Sequence, residues 1–143
     1  MIVDFYNKLF SSSNPSGLES VIQHTKGVVS ADMNASLIED FMSLEVESAL
    51  RQMAPLKAPD PDDMPPIFFQ HYWDCIGNDI VKDVLFCLNT SEVLTGLNHT
   101  FITLIPKVKS LNFIYEFRPI ALCNVLYKLV SKVLANRLKR VLP

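Results

Sequence analysis

The sequence predicts an α+β fold, mostly helical, with a small antiparallel β-hairpin over about residues 100–122 and a long helix at the C-terminal end. Three observations predict it. Val125, Leu126, Leu129, Val130, Val133, Leu134, Leu138 and Val141 keep a helical period across Asn124–Leu142. Thr100–Pro106 (Thr-Phe-Ile-Thr-Leu-Ile-Pro) alternates and is rich in β-formers, and Phe117–Leu122 makes a second short strand. Elsewhere the apolar residues recur at helical spacing between polar, turn-forming breaks.

The first helix is expected over Ile2–Phe10, with Phe5, Leu9 and Phe10 apolar. Ser11 to Gly17 forms a polar break. Leu18–Asp40 is weakly periodic and reads as two short helical pieces with Gly27 between them. Ser43 is a plausible cap for a helix over Leu44–Met53, in which Val46, Ala49, Leu50 and Met53 share a face. Glu45 and Glu47 lie in its first turn, where the helix dipole favours acids. Pro55–Pro66 holds five prolines and three aspartates and is expected to be loop. Pro65-Pro66 suit the opening of a helix that runs to about Cys75, with Gly77 as its terminator. Asn78 then caps a further helix carrying Ile80, Val81, Val84, Leu85 and Leu88. In the last helix Lys128, Lys132 and Lys139 fall within about 40° of one another, on the face opposite the apolar stripe.

Composition excludes several classes. The 143 residues are 49% hydrophobic and 20% charged, as in a globular domain or part of one. No apolar run is long enough to span a membrane, and Asp4 and Lys8 interrupt the start, which does not read as a secretory signal. An intracellular location, cytoplasm or nucleus, is the expectation. Cys75, Cys87 and Cys123 form no Cys-x-x-Cys pair, so no disulfide framework or zinc site is expected. With 4 glycines in the chain there is no phosphate-cradling loop. The net charge of −2 conceals an asymmetry: residues 1–104 carry 5 Lys/Arg and 14 Asp/Glu, residues 105–143 carry 8 Lys/Arg and one acid, Glu116. The basic stretch implies an anionic partner, or packing of the two halves on each other.

Among groups that carry chemistry, Asp60, Asp62 and Asp63 are the densest carboxylates. They fail the calcium-loop template, having no Gly at the sixth position and His71 at the twelfth, so a solvated acidic turn is the simpler reading. His24, His71 and His99 are scattered without triad partners. Phe68, Phe69, Tyr72 and Trp73 read as core, with a base-stacking platform as the alternative. Lys107, Lys109 and Arg118 bracket the hairpin loop, where they either face water or meet phosphates, Arg through a bidentate fork and Lys as a point charge. The same choice holds for Lys128, Lys132, Lys139 and Arg140 on the last helix.

Several segments, in order, resemble a known family. Lys57-Ala58-Pro59-Asp60-Pro61-Asp62-Asp63 is similar to the Lys-Ala-Pro-Gly-Pro-Asp-Gly segment of reverse transcriptases of non-LTR (LINE-type) retrotransposons, most like those of plant genomes. Phe68–Trp73, Leu97–Thr100, Leu104–Lys107, Phe117–Ile120 and Cys123–Lys139 follow in the family's order. The resemblance covers residues 40–143 closely and 1–39 more loosely. It implies a helical lead-in (1–39), then a partial reverse-transcriptase domain (40–143) of pre-fingers and fingers without the palm. It implies that Arg118 and Lys107 contact the incoming nucleotide's triphosphate, with Lys128 and Lys132 as further nucleic-acid contacts. The partners implied are an RNA or DNA template, dNTP and an absent palm.

The palm aspartates that bind divalent metal lie in segments expected downstream. No catalytic or metal-binding residue and no cofactor is therefore expected here, Mg²⁺ belonging to an intact palm, and the chain is expected to be a fragment inactive by itself. Asp60 and Asp63 stand where the family has Gly, and Ala121 where it usually has Ser, which suits a degenerate copy. The alternatives are a nucleic-acid-binding module that uses the basic hairpin and terminal helix, and a helical remnant that binds protein.

Overall fold

A computed structural model describes residues 2–23, 29–56 and 64–142. Its elements are α1 (Ile2–Phe10), α2 (Leu18–Ile22), α3 (Ala31–Ile38), α4 (Ser43–Arg51), α5 (Pro66–His71), α6 (Trp73–Thr90), β1 (Thr100–Pro106), a 3₁₀ turn (Ile114–Glu116), β2 (Phe117–Cys123) and α7 (Val125–Leu138). Helices and one antiparallel β1–β2 pair make this the expected α+β fold. None of the described helices is long and apolar enough to cross a membrane. The Asp60/Asp62/Asp63 cluster, Gly27 and His24 lie outside the described residues.

The core forms where α4, α6 and α7 meet, with α5 closing one side. Each helix supplies an apolar stripe at i, i+3, i+4 spacing. Val46, Ala49 and Leu50 come from α4, Ile80 and Val84 from α6, and Val125, Leu129 and Val133 from α7. Phe69 of α5 and Met53 just after α4 complete it, and Phe68 and Trp73 pack against it. The core reading of that aromatic run therefore holds for three of its four rings, while Tyr72 is exposed. Side-chain amides tie the elements together. Gln70 Nε2 donates to the carbonyls of Leu50 (2.8 Å) and Met53 (3.0 Å). Asn89 Oδ1 accepts from Phe41 N–H at 2.9 Å.

Three local expectations are corrected. The helix expected to run from Pro65-Pro66 to Cys75 and end at Gly77 is two helices that meet at Tyr72 (φ −95°, ψ 19°), with Gly77 and Asn78 inside α6. Gly77 is there for close approach, since a Cβ would stand 2.8 Å from two ring carbons of Trp73, one turn earlier. Ser43 is the first helical residue of α4 rather than its cap. Met42 holds the cap position, and its N–H donates to Glu45 Oε2 at 3.0 Å. The last helix ends at Leu138, not Leu142, with Lys139 at its cap. It starts at Val125, and Asn124 caps it, a role the periodicity does not assign: Asn124 Oδ1 accepts from Tyr127 N–H at 2.8 Å, and Asn124 Nδ2 donates to Leu97 O at 3.2 Å.

The hairpin stands apart from this core. Its register pairs Thr100 with Cys123, Thr103 with Ile120, Ile105 with Arg118 and Pro106 with Phe117. Residues on both of its faces are exposed, Phe101, Ile102, Ile105 and Ile120 among them.

Candidate nucleic-acid interface

The hairpin brings together cations that the sequence separates. Ile105 and Arg118 are directly opposite, so they share one face of the ribbon, and Lys107, two residues along, continues that face. Lys107 extends the ladder, its N–H donating to Glu116 O at 2.8 Å, and its ammonium reaches across the loop to Tyr115 O at 2.8 Å. An ammonium carries three donors, so this bond aims the group without exhausting it. Lys107, Lys109 and Arg118 are all exposed.

The one acid of this stretch is turned to structural use. Glu116 Oε2 accepts from the N–H groups of Asn112 (2.7 Å) and Phe113 (2.9 Å). Those two donors hold its carboxyl below the ordinary Glu value, so it stays ionised and pins the loop.

The lysines of α7 form a second set. Lys128 and Lys132 are half-buried beside the packed stripe of α7 rather than on its opposite face, and only Lys139 of the three is exposed. At 100° per residue the stripe Val125–Leu129–Val133 advances toward Arg137, and the lysine row flanks it at roughly a quarter-turn to a third of a turn. Lys139 and Arg140 border an open cleft of about 570 Å³ between α4 and α7, with Ser48, Gln52 and Asn136. Arg140 Nη2 lies 3.6 Å from Glu45 Oε1 there.

Composition and charge do not single out Arg137, yet its place is marked in the sequence: it follows Val125, Leu129 and Val133 at steps of four, a charge at the end of an apolar stripe. It is only 4% exposed. Its Nε donates to Glu45 Oε1 (3.2 Å) and its Nη2 to Glu45 Oε2 (2.7 Å) and Asp40 O (3.1 Å). Its Nη1 donates to Leu37 O (3.2 Å) and to Glu39 O. All five guanidinium donors are thus engaged, and Cζ lies 3.5 Å from the centre of the Phe41 ring. Arg137 is a structural clamp, not a free cation. It holds the Glu45 carboxyl below its ordinary value, with the Met42 N–H assisting against partial burial.

Among the described residues, no three His, Cys, Asp or Glu side chains assemble into a metal-binding group. What the arrangement offers chemically is an exposed basic ribbon, suited to phosphate oxygens.

No protein-family model matches the sequence. The chain is similar to the transposon TX1 uncharacterized 149 kDa protein of Xenopus laevis, with 31% identity over 140 residues, covering 96% of this chain and 11% of that protein. The chain therefore spans about 11% of the length of the curated relative it matches.

Proposed function

We propose that the chain is a retrotransposon-derived segment of a non-LTR reverse transcriptase, in which the β1–β2 hairpin meets phosphates through Arg118 and Lys107. One observation carries the phosphate-contacting role: the register sets Arg118 opposite Ile105 and leaves Lys107 on the same face, with both cations exposed. The similarity to a transposon-encoded protein along 96% of the chain supports the retrotransposon part of the reading. Arg118 offers a planar fork that matches two phosphate oxygens, and Lys107 a point charge tethered to the loop. The ligands are the triphosphate of a dNTP and the backbone of an RNA or DNA template, with Lys128 and Lys132 as outlying contacts.

Polymerisation in this family needs divalent metal held by palm aspartates, which supply charge stabilisation to the attacking and leaving oxygens. The segments that carry the resemblance do not include them. This chain alone binds nucleic acid without extending a primer, and the exposed apolar residues of the hairpin are the surface a palm would cover.

The test is binding of a labelled RNA–DNA primer–template over a salt series. Affinity should fall linearly in log–log form, and Arg118→Ala or Lys107→Ala should each weaken binding and reduce the slope by about 1. Affinity indifferent to salt and to both substitutions would refute the role, and leave a protein-binding remnant as the better reading. Template-dependent synthesis above a blank, with dNTP and Mg²⁺, would refute the inactivity.

A further inference from the structure

At the tip of the hairpin, Phe113 and Tyr115 stack on each other with ring centroids 5.2 Å apart and planes only 9° from parallel. They are 56% and 59% exposed, so this stacked pair stands in solvent rather than in a core. Two large rings held side by side in water are costly to keep exposed unless something covers them.

The pair is also held in place. The 3₁₀ turn Ile114–Glu116 separates the two rings by one residue. Phe113 N–H is anchored on the Glu116 carboxylate at 2.9 Å, and Tyr115 O accepts the Lys107 ammonium at 2.8 Å. The backbone on each side of the pair is therefore fixed before any ligand arrives, which lowers the entropy lost on binding.

We infer that Phe113 and Tyr115 form a stacking platform for unpaired bases of a single-stranded nucleic acid. Charge selects this occupant over a protein. Lys107 donates to the carbonyl of Tyr115 itself, Lys109 lies in the same loop and Arg118 follows directly on its far side. The nearest acid, Glu116, is occupied by backbone donors. Aromatic faces beside cations accept successive bases of any sequence while the cations track the phosphates. The inference deepens the phosphate-contacting role proposed above and rests on it. It adds that the hairpin distinguishes single strands from duplex.

The experiment compares binding of labelled oligo(dT) and of a duplex of equal length to the full 143-residue chain, with Phe113→Ala, Tyr115→Ala, the matching Leu variants, Tyr115→Trp and Arg118→Ala. Both rings are exposed, so circular dichroism should show every variant folded as the parent is. Each Ala and each Leu variant should bind oligo(dT) about tenfold more weakly, while Tyr115→Trp retains binding, because a base stacks on a π-face and not on an aliphatic chain. Duplex binding should be unchanged by these substitutions. Leu variants that bind as well as the parent, or an equal loss on duplex, would overturn the stacking. If Arg118→Ala weakens oligo(dT) binding and the aromatic variants do not, the platform fails while the phosphate role stands. If Arg118→Ala also has no effect, both fail.

Discussion

Replacing Arg137 by Ala tests the clamp that joins the last helix to the chain before α4. The substitution removes five hydrogen bonds, two of them to the Glu45 carboxylate and three to the carbonyls of Leu37, Glu39 and Asp40. It also removes the cation from the face of Phe41. Breaking a buried pair on one side costs about 3–5 kcal/mol, because the partner is left without compensation. Here the Glu45 side chain keeps 18% exposure, and Arg140 Nη2 lies 3.6 Å from its Oε1. The lower end, about 3 kcal/mol, is therefore the expectation.

Urea unfolding followed by Trp73 fluorescence reads this as a fall of the midpoint by about 1.5 M, for a slope of about 2 kcal/mol/M. Arg51→Ala is the control. Arg51 pairs with Glu47 at 2.7 Å, but its side chain is 68% exposed, and such a pair contributes about 0.5 kcal/mol or less. Similar shifts for Arg137→Ala and Arg51→Ala would refute the clamp. Arg137→Met combined with Glu45→Leu should recover much of the loss, since it removes both charges. Recovery stays incomplete because the three carbonyls are still unpaired.

Two further outcomes follow from the same structure. Glu45 is held below the ordinary value of about 4.5, first by its bond to Arg137. A lowered carboxyl contributes stability that is present above the unfolded value and lost as pH falls through the folded one. Acid unfolding below about pH 4.5 should therefore be shallower in Glu45→Gln than in the parent, and an unchanged acid limb would refute the coupling. Gly77→Ala should lower the melting temperature, even though Ala is the better helix former by about 1 kcal/mol. The added Cβ meets ring carbons of Trp73 at 2.8 Å, and forcing that ring aside costs about 1–3 kcal/mol. A higher melting temperature would show that the ring moves freely.

Much of this fold is legible in the residues, and what is not has identifiable causes. The apolar stripe of α7 and the alternation of β1 are local patterns, so periodicity finds them. Gly77 misleads because a glycine in a helical run has two meanings, termination or close approach, and only the position of the Trp73 ring separates them. Met42 and Ser43 exchange roles because the acid at Glu45 satisfies the first backbone donor from inside the helix. Lys128 and Lys132 were expected opposite the core and instead flank it, because the buried stripe of α7 drifts around the helix by about 40° at each step of four. Lys107 and Arg118 were legible as a pair because a hairpin converts sequence distance into adjacency. The Phe113–Tyr115 stack was not, since spacing alone does not tell an exposed ring from a buried one.

The Arg137 clamp also bears on how the chain acquires its fold. Its contacts to Leu37 and Glu45 close loops of 100 and 92 residues, and α7 supplies Val125, Leu129 and Val133 to the same core. A nascent chain therefore exposes the stripes of α4 and α6 until α7 leaves the ribosome. Closing so long a loop adds an entropic barrier that local helix formation does not offset. Synthesis that halts before residue 137 should thus release helices without their seal, a species prone to aggregation or to capture by chaperones.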